Sequence, residues 1–159
     1  MRRIVELLFL GLMIAMPERA GATPPIIDGP TVLERSPAAL EASLGEPVRT
    51  KIVPPGDFSL PDGGMSRVYT GRGTQIDVEF ERERSTTVVV AFPDAAVAPR
   101  TYEAALEAVN LRPGPAPDVV SRDSREWHGL EGYYFVRVIA AYPALDHINA
   151  IILSIHPLP

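Results

Sequence analysis

The sequence predicts an α+β domain made of two repeated units, in each of which a short helix precedes an antiparallel meander and packs on one face of the sheet. Two observations predict this class. The segment AALEASLGEP at 38–47 returns as AALEAVNLRP at 104–113. The segment RVYTGRGTQIDVEF at 67–80 is paralleled by REWHGLEGYYFVRV at 125–138. In both halves of the chain, a helical pattern is thus followed by strand patterns.

The N-terminus has the features of a secretory signal peptide. Basic residues are followed by the apolar run 7–16, which is shorter than the roughly 20 residues that a membrane-spanning helix needs. The small residues AGA at 20–22 match a signal peptidase site. We therefore expect residues 1–22 to be removed after Ala22 and the protein to be periplasmic or secreted. An uncleaved N-terminal anchor is the alternative.

The next segment, 23–35, is predicted to be an extended leader, because it contains prolines and a glycine but shows no period. A helix should begin directly after it. Ser36 is a good N-cap and Pro37 a good first helical residue, and the leucines that follow are one turn apart. Gly45 can adopt the left-handed conformation that ends a helix.

The remainder of the first unit, which spans 36–94, reads as strands separated by glycine and proline turns. The segment Thr74 to Glu81 alternates most cleanly, with apolar side chains on one side and polar side chains on the other. That alternation predicts a strand with one buried and one solvated face. The strands predicted in this unit are 48–53, 65–70, 74–81 and 86–92.

The second unit, 95–159, is predicted to repeat this order. Thr101 is the expected N-cap of its helix, and Asn110 lies at the expected end. A short strand with an aromatic residue is expected to precede the glycine-bounded turn at 129–132. The other strands predicted in this unit are 119–121, 133–142 and 148–156, and the two units are expected to form one domain.

Composition restricts the function classes. The chain of 159 residues contains no cysteine, which excludes disulfides and thiolate metal sites. Its formal net charge of −5 lacks the basic character of a nucleic-acid-binding protein. No segment after the signal region is long and apolar enough to span a membrane. We expect no cofactor, no metal and no nucleic acid.

The residues ALEASLGEP, VYTGRG, QIDVEF and VVVAF, with their second-half counterparts, resemble the tandem α/β repeat of the beta-lactamase inhibitor protein family. They are also similar to the single-unit small lipoproteins of outer-membrane assembly. The resemblance implies a binding module in the cell envelope or outside it. The lipoproteins are anchored through a cysteine that this chain lacks, and the contact loops of the inhibitor have no counterpart. No functional residue is therefore transferred.

The sequence offers little for catalysis. His128 is expected in a loop, His147 in a turn and His156 near the C-terminus, without the i, i+2 or i, i+4 spacing of metal ligands. The Gly-x-Ser-x-Gly motif of hydrolases is absent. Asp77, Glu79 and Glu81 share one strand face, which fits a solvated face better than an acid–base pair. A small secreted hydrolase with dispersed catalytic residues is the alternative function, because triads are assembled in space.

The segments YYFVRVIAAY and INAIILSI are apolar on both faces of their predicted strands. Either the second unit is covered on both sides, or it presents an apolar patch to another protein or to a second copy of the chain. We predict a non-enzymatic protein-binding or envelope-associated module. Large aromatic residues are frequent at binding hot spots. The possible contact residues are Tyr69, Trp127, Tyr133 and Tyr134, with core filling as their alternative role.

Overall fold

The structure, a computed structural model, describes residues 24–57 and 60–157. The predicted signal peptide and its cleavage site lie outside these residues. Within the described residues, three α-helices and eight strands follow one another. The helices are α1 (Gly29–Val32), α2 (Pro37–Leu44) and α3 (Tyr102–Ala108). The strands are β1 (Arg49–Val53), β2 (Gly64–Gly71), β3 (Thr74–Glu81), β4 (Arg84–Ala91), β5 (Val119–Val120), β6 (Ser124–His128), β7 (Phe135–Ala140) and β8 (Ile148–Ser154).

All eight strands belong to one antiparallel sheet with the order β1-β2-β3-β4-β8-β7-β6-β5. The first four strands follow the chain, and the last four run in the reverse order. The two halves meet where β4 pairs with β8, in a register that places Val88 opposite Leu153 and Val90 opposite Ile151. The last strand of the described chain is thus central in the sheet.

The predicted architecture of two repeated helix-plus-meander units is therefore wrong. The fold is β-rich, with one continuous sheet, and α2 and α3 have only eight and seven residues. Helices of two turns are too small to cover a meander each. Loops and the segment before α2 supply much of the layer that covers the sheet. The sequence patterns predicted local elements but not the pairing of β4 with β8, which depends on residues far apart in the chain.

Several local predictions are confirmed. The Ser36 side chain accepts a hydrogen bond from Ala39 N at the start of α2, and the Thr101 side chain accepts one from Ala104 N at the start of α3. Gly45 ends α2 with a φ of +86°. The strand predicted at 74–81 has the same limits as β3. These features depend on neighbouring residues, which explains why the sequence predicted them.

Other local predictions need correction. The long strand predicted at 133–142 is confined to β7, because a 3₁₀ turn at Leu130–Gly132 precedes it. His128 is the last residue of β6 and not part of a loop. The leader is not simply extended, since it contains α1 and buries Ile27 and Val32 in the core.

The leader, residues 24–35, is fixed to the domain by backbone hydrogen bonds at both ends. Ile26 N donates to Ala108 O (2.7 Å), and Glu34 N donates to Ser85 O (2.8 Å). Gly29 N donates to Val109 O (2.9 Å) at a point where a Cβ atom would lie 2.4 Å from that oxygen. A glycine is required there because the two backbones approach so closely.

One face of the sheet carries the main core. The alternating apolar residues of β3, β4, β7 and β8 that point to this face pack with the leader and with residues of α2 and α3. We call it the covered face. Its strand residues include Ile76, Val78, Phe80, Val88, Val90, Val136, Val138, Ile151 and Leu153. None of the described helices has the length and apolar character that a membrane span requires.

Candidate functional site

The opposite side of the sheet, which we call the open face, is defined by the strand register. Residues paired directly across an antiparallel sheet point to the same face. A row that runs from β3 to β6 pairs Asp77 with Val89, Val89 with Ile152, Ile152 with Arg137 and Arg137 with Glu126. The helices lie on the covered face, so this row is not beneath any described helix.

The centre of the open face is apolar. Six apolar side chains from β4, β8 and β7 form an apolar strip. Four of them are half-buried and partly accessible to solvent, whereas Phe135 and Ala150 are buried, and Arg137 interrupts the strip on β7. A sheet with one solvated face normally presents polar side chains there, as β3 does with Gln75, Asp77, Glu79 and Glu81. The apolar strip thus departs from the usual pattern in the three strands at the middle of the sheet. It consists of Val89, Ala91, Phe135, Ile139, Ala150 and Ile152.

A hydrogen-bonded charged cluster borders the apolar strip on the β6 side. The carboxylate of Glu126 lies 2.5 Å from His128 Nε2 and 2.5 Å from Arg137 Nε. The Arg137 guanidinium also lies 5.6 Å from the centre of the Phe135 ring, close enough for a cation–π contact. These contacts fix the orientation of the Arg137 side chain beside the strip.

The carboxylate of Glu126 is charged in this cluster although most of its side chain is buried. Burial alone would raise its pKa, but the hydrogen bonds from His128 and Arg137 and the charge of Arg137 outweigh burial and lower the pKa below its ordinary value. The Glu126 carboxylate at the β6 border of the strip is therefore ionised near neutral pH.

The β3 side of the apolar strip is bordered by polar and acidic groups. Gln75 Nε2 donates to Asp77 Oδ2 (2.9 Å), and Glu81 Oε2 lies 3.9 Å from His156 Nε2. Between β4 and β8, the Thr87 and Ser154 hydroxyls lie 3.2 Å apart. The open face therefore has an apolar centre and charged or polar borders on both sides.

The four aromatic residues predicted as contacts lie in different environments. Tyr69, Trp127 and Tyr133 are buried, so they fill the core, whereas Tyr134 is 53% exposed. Trp127 Nε1 donates to Pro115 O (3.0 Å), and the Tyr133 hydroxyl donates to Gly29 O of the leader. Burial and the nearby carboxylates Glu131 and Asp28 raise the pKa of Tyr133. Of the four, Tyr134 is the side chain that a partner could reach.

The described residues do not bring together the groups of a catalytic triad. His128 contacts Glu126, and His147 Nδ1 lies 2.7 Å from Asp146 Oδ1, whose pKa is lowered by that hydrogen bond. Within residues 24–57 and 60–157, no serine hydroxyl is hydrogen-bonded to a histidine ring, and no group of three His, Cys, Asp or Glu side chains could hold a metal ion.

Sequence reasoning missed the cluster of Glu126, His128 and Arg137. The spacing of Glu126 and His128 was a usable signal, because residues two apart in a strand point to the same face. The predicted loop position of His128 concealed this signal, because residues two apart share a face only in a strand. Arg137 joins them only through the register of β6 and β7.

No family model matches the chain, and no curated protein matches it in sequence. Among solved structures, the chain is similar to a cysteine-rich secretory protein from Staphylococcus aureus, with 12% sequence identity and a TM-score of 0.47. The similarity covers 82% of this chain and 47% of the other, so this chain spans about half the length of that structure. At this level of identity and score, the likeness assigns neither a family nor a function.

Proposed function

We propose that this protein is an exported, non-enzymatic protein-binding or envelope-associated module that binds its partner through the open face. The observation that supports the proposal is the apolar strip on β4, β8 and β7, with half-buried Val89, Ile139 and Ile152 at its centre. Contiguous apolar surface with polar borders is the usual composition of a protein interface.

The dimensions and charges of the open face define the kind of partner that it fits. Neighbouring strands lie about 4.8 Å apart, so the row of Ala91, Ala150 and Ile139, which is apolar across three strands, is about 10 Å wide. That width matches the apolar stripe of an amphipathic helix or the face of a second sheet. Arg137 and Glu126 on one border, with Asp77 on the other, would orient such a partner.

Export is supported by the predicted signal peptide at 1–22. A chain without cysteine has no disulfides, so its binding surface needs a scaffold that is stable without them. The single sheet provides one, because its covered face buries a continuous core.

The test is affinity capture of the mature protein from its own envelope extract, with three baits. The first bait is the wild type, the second carries Ile139→Glu and Ile152→Glu on the open face, and the third is a control with Val97→Glu, since Val97 is exposed elsewhere. Thermal unfolding should first show that all three baits are folded.

We expect a protein that is retained by the wild type and the Val97→Glu control and is absent from the open-face bait, because two carboxylates in the apolar strip would be desolvated by the partner. Binding of the same proteins by all three baits would contradict the proposal. So would a wild type that retains no protein above the background of an empty resin.

A further inference from the structure

The strand β1 forms one edge of the sheet and is exposed along most of its length. It pairs with β2 on one side, and no described strand pairs with its other side. Arg49, Thr50, Lys51 and Ile52 are all exposed, and Ile52 is 72% exposed. An edge of this kind presents a row of backbone donors and acceptors to an added strand.

The side chains of β1 are segregated into two rows by the alternation of a strand. Thr50 and Ile52 share the face of Arg67 and Met65, which is the covered face, and Val48 precedes them at 63% exposure. Arg49 and Lys51 point to the open face. The edge therefore offers β-branched side chains on one side and two cations on the other.

The two cations of β1 form no salt bridge with the described residues, and the nearest acidic residues of their rows, Asp77 and Glu79, lie two strands away. By contrast, Arg67 pairs with Glu41 (2.8 Å) and Arg137 pairs with Glu126. The positive charge at this edge is thus available to a carboxylate supplied from outside the described chain.

The opposite edge of the sheet lacks these features. The strand β5 has two residues, Val119 and Val120, and follows a segment with prolines at 113, 115 and 117. Short strands and nearby prolines prevent pairing with another chain, because proline has no N–H group to donate. Only β1 combines sufficient length with an uncovered edge.

A second copy of the chain is a poor occupant of this edge. Antiparallel pairing of two β1 strands in one sheet keeps odd-numbered residues opposite odd-numbered residues. When the middle of one β1 strand is aligned with the middle of the other, Arg49 or Lys51 of one copy therefore lies opposite Lys51 of the other copy. Like charges directly opposite one another destabilise a strand pair, so these cations oppose self-association and favour a different strand.

We propose that β1 binds, as an added antiparallel strand, an extended segment of a partner protein in which carboxylates alternate with β-branched residues. The carboxylates lie opposite Arg49 and Lys51, and the β-branched residues lie opposite Thr50 and Ile52. Backbone hydrogen bonds along the edge provide the attachment, and the alternating side chains provide selectivity. This site is separate from the apolar strip of the open face.

The probe is a synthetic peptide of about seven residues that alternates valine and glutamate, compared with the same peptide in which lysine replaces glutamate. Binding to the full mature chain is measured by fluorescence anisotropy at low and at physiological salt. The test variant is Arg49→Glu with Lys51→Glu. The matched control is Arg72→Glu, because Arg72 lies in the turn after β2, beyond the residues that pair with β1.

We expect the wild type and the Arg72→Glu control to bind the glutamate peptide at least about tenfold more tightly than the lysine peptide. The Arg49→Glu, Lys51→Glu variant should reverse this preference. Binding of both peptides with equal affinity, or a preference that the charge reversal leaves unchanged, would overturn the proposal.

A glutamate peptide methylated on alternate backbone nitrogens separates strand addition from attraction between charges alone. It retains the carboxylates but loses the N–H groups that face the edge, so its binding should be lost. Equal binding of the methylated and unmethylated peptides would refute strand addition of a partner. So would a wild-type dimer in analytical ultracentrifugation whose stability changes in the Lys51→Glu variant. The Ile152→Glu variant should bind the glutamate peptide as tightly as the wild type does. The test of strand addition is therefore independent of the proposed open-face function.

Discussion

The two faces of the sheet differ most clearly at two adjacent isoleucines of β8. Ile151 points to the covered face and is fully buried, whereas Ile152 points to the open face and is half-buried. The residues are of one type, on one central strand, and differ only in the face to which they point. Ile151 packs in the core of the covered face, and Ile152 belongs to the apolar strip through which we propose that a partner binds.

This difference shows how a sheet protein can separate folding from recognition. The covered face buries its apolar side chains beneath the leader and the helices, so its residues are determined by packing. The open face retains apolar side chains that contribute less to the core. Substitutions on the two faces should therefore have different effects on unfolding and on binding.

The largest expected effect is a loss of about 3–4 kcal/mol in the free energy of unfolding for Ile151→Ala, because the truncation leaves a cavity in a closely packed core. Ile152→Ala should cost about 1 kcal/mol, since its side chain is already partly solvated. Denaturation in urea measures both values. Equal losses for the two variants would show that the open face is covered in solution.

Substitution of Ser85, which attaches the leader to the covered face, should cause an intermediate loss in the free energy of unfolding. Its buried hydroxyl donates to Val32 O (2.8 Å) and accepts from Arg35 N (2.9 Å). Ser85→Ala leaves both backbone groups without these bonds and should cost about 1–3 kcal/mol. Thr87→Ala on the same strand should cost less than about 1 kcal/mol, because the Ser154 hydroxyl has a second partner at His156 O.

These two variants are compared by thermal unfolding, and the leader is probed by amide hydrogen exchange. Faster exchange at Glu34 in Ser85→Ala, but not in Thr87→Ala, would show that the leader is loosened locally. If Thr87→Ala were the more destabilising change, the leader would contribute less to the covered face than its hydrogen bonds indicate.

Substitution of Glu126 on the open face should cause the smallest loss in the free energy of unfolding, and this loss should depend on pH. Its pKa in the folded protein is lowered, so its ionised form stabilises the fold above the unfolded value of about 4.3. This stabilisation is lost as the pH falls through the folded pKa. Glu126→Gln should therefore be less stable than the wild type by about 1 kcal/mol near pH 7 and nearly as stable below about pH 3.

Urea denaturation of both proteins between about pH 3 and pH 7 measures this difference. The matched control is Glu131→Gln, because Glu131 is an exposed residue of the 3₁₀ turn outside the cluster. A stability difference between the wild type and Glu126→Gln that does not change with pH would contradict the assigned role of the carboxylate.

Much of the local structure could be predicted from the sequence, whereas the candidate site could not. The cap residues Ser36 and Thr101 and the alternation of β3 act over a few residues, and their predictions are confirmed. Glu126, His128 and Arg137 meet only because β6 pairs with β7 in one register. Tyr69 and Trp127 are buried by residues distant in the chain, so their residue types alone did not distinguish contact from core.

The sequence by itself determined where α2 and α3 begin and which side of β3 is apolar, because backbone preferences and side-chain alternation are local properties. Only the tertiary structure decided that β4 pairs with β8, that the leader joins the core and that one face remains open. Those outcomes depend on which apolar faces bury each other across long stretches of chain. They replaced two predicted units with one sheet that has a covered face and an open face.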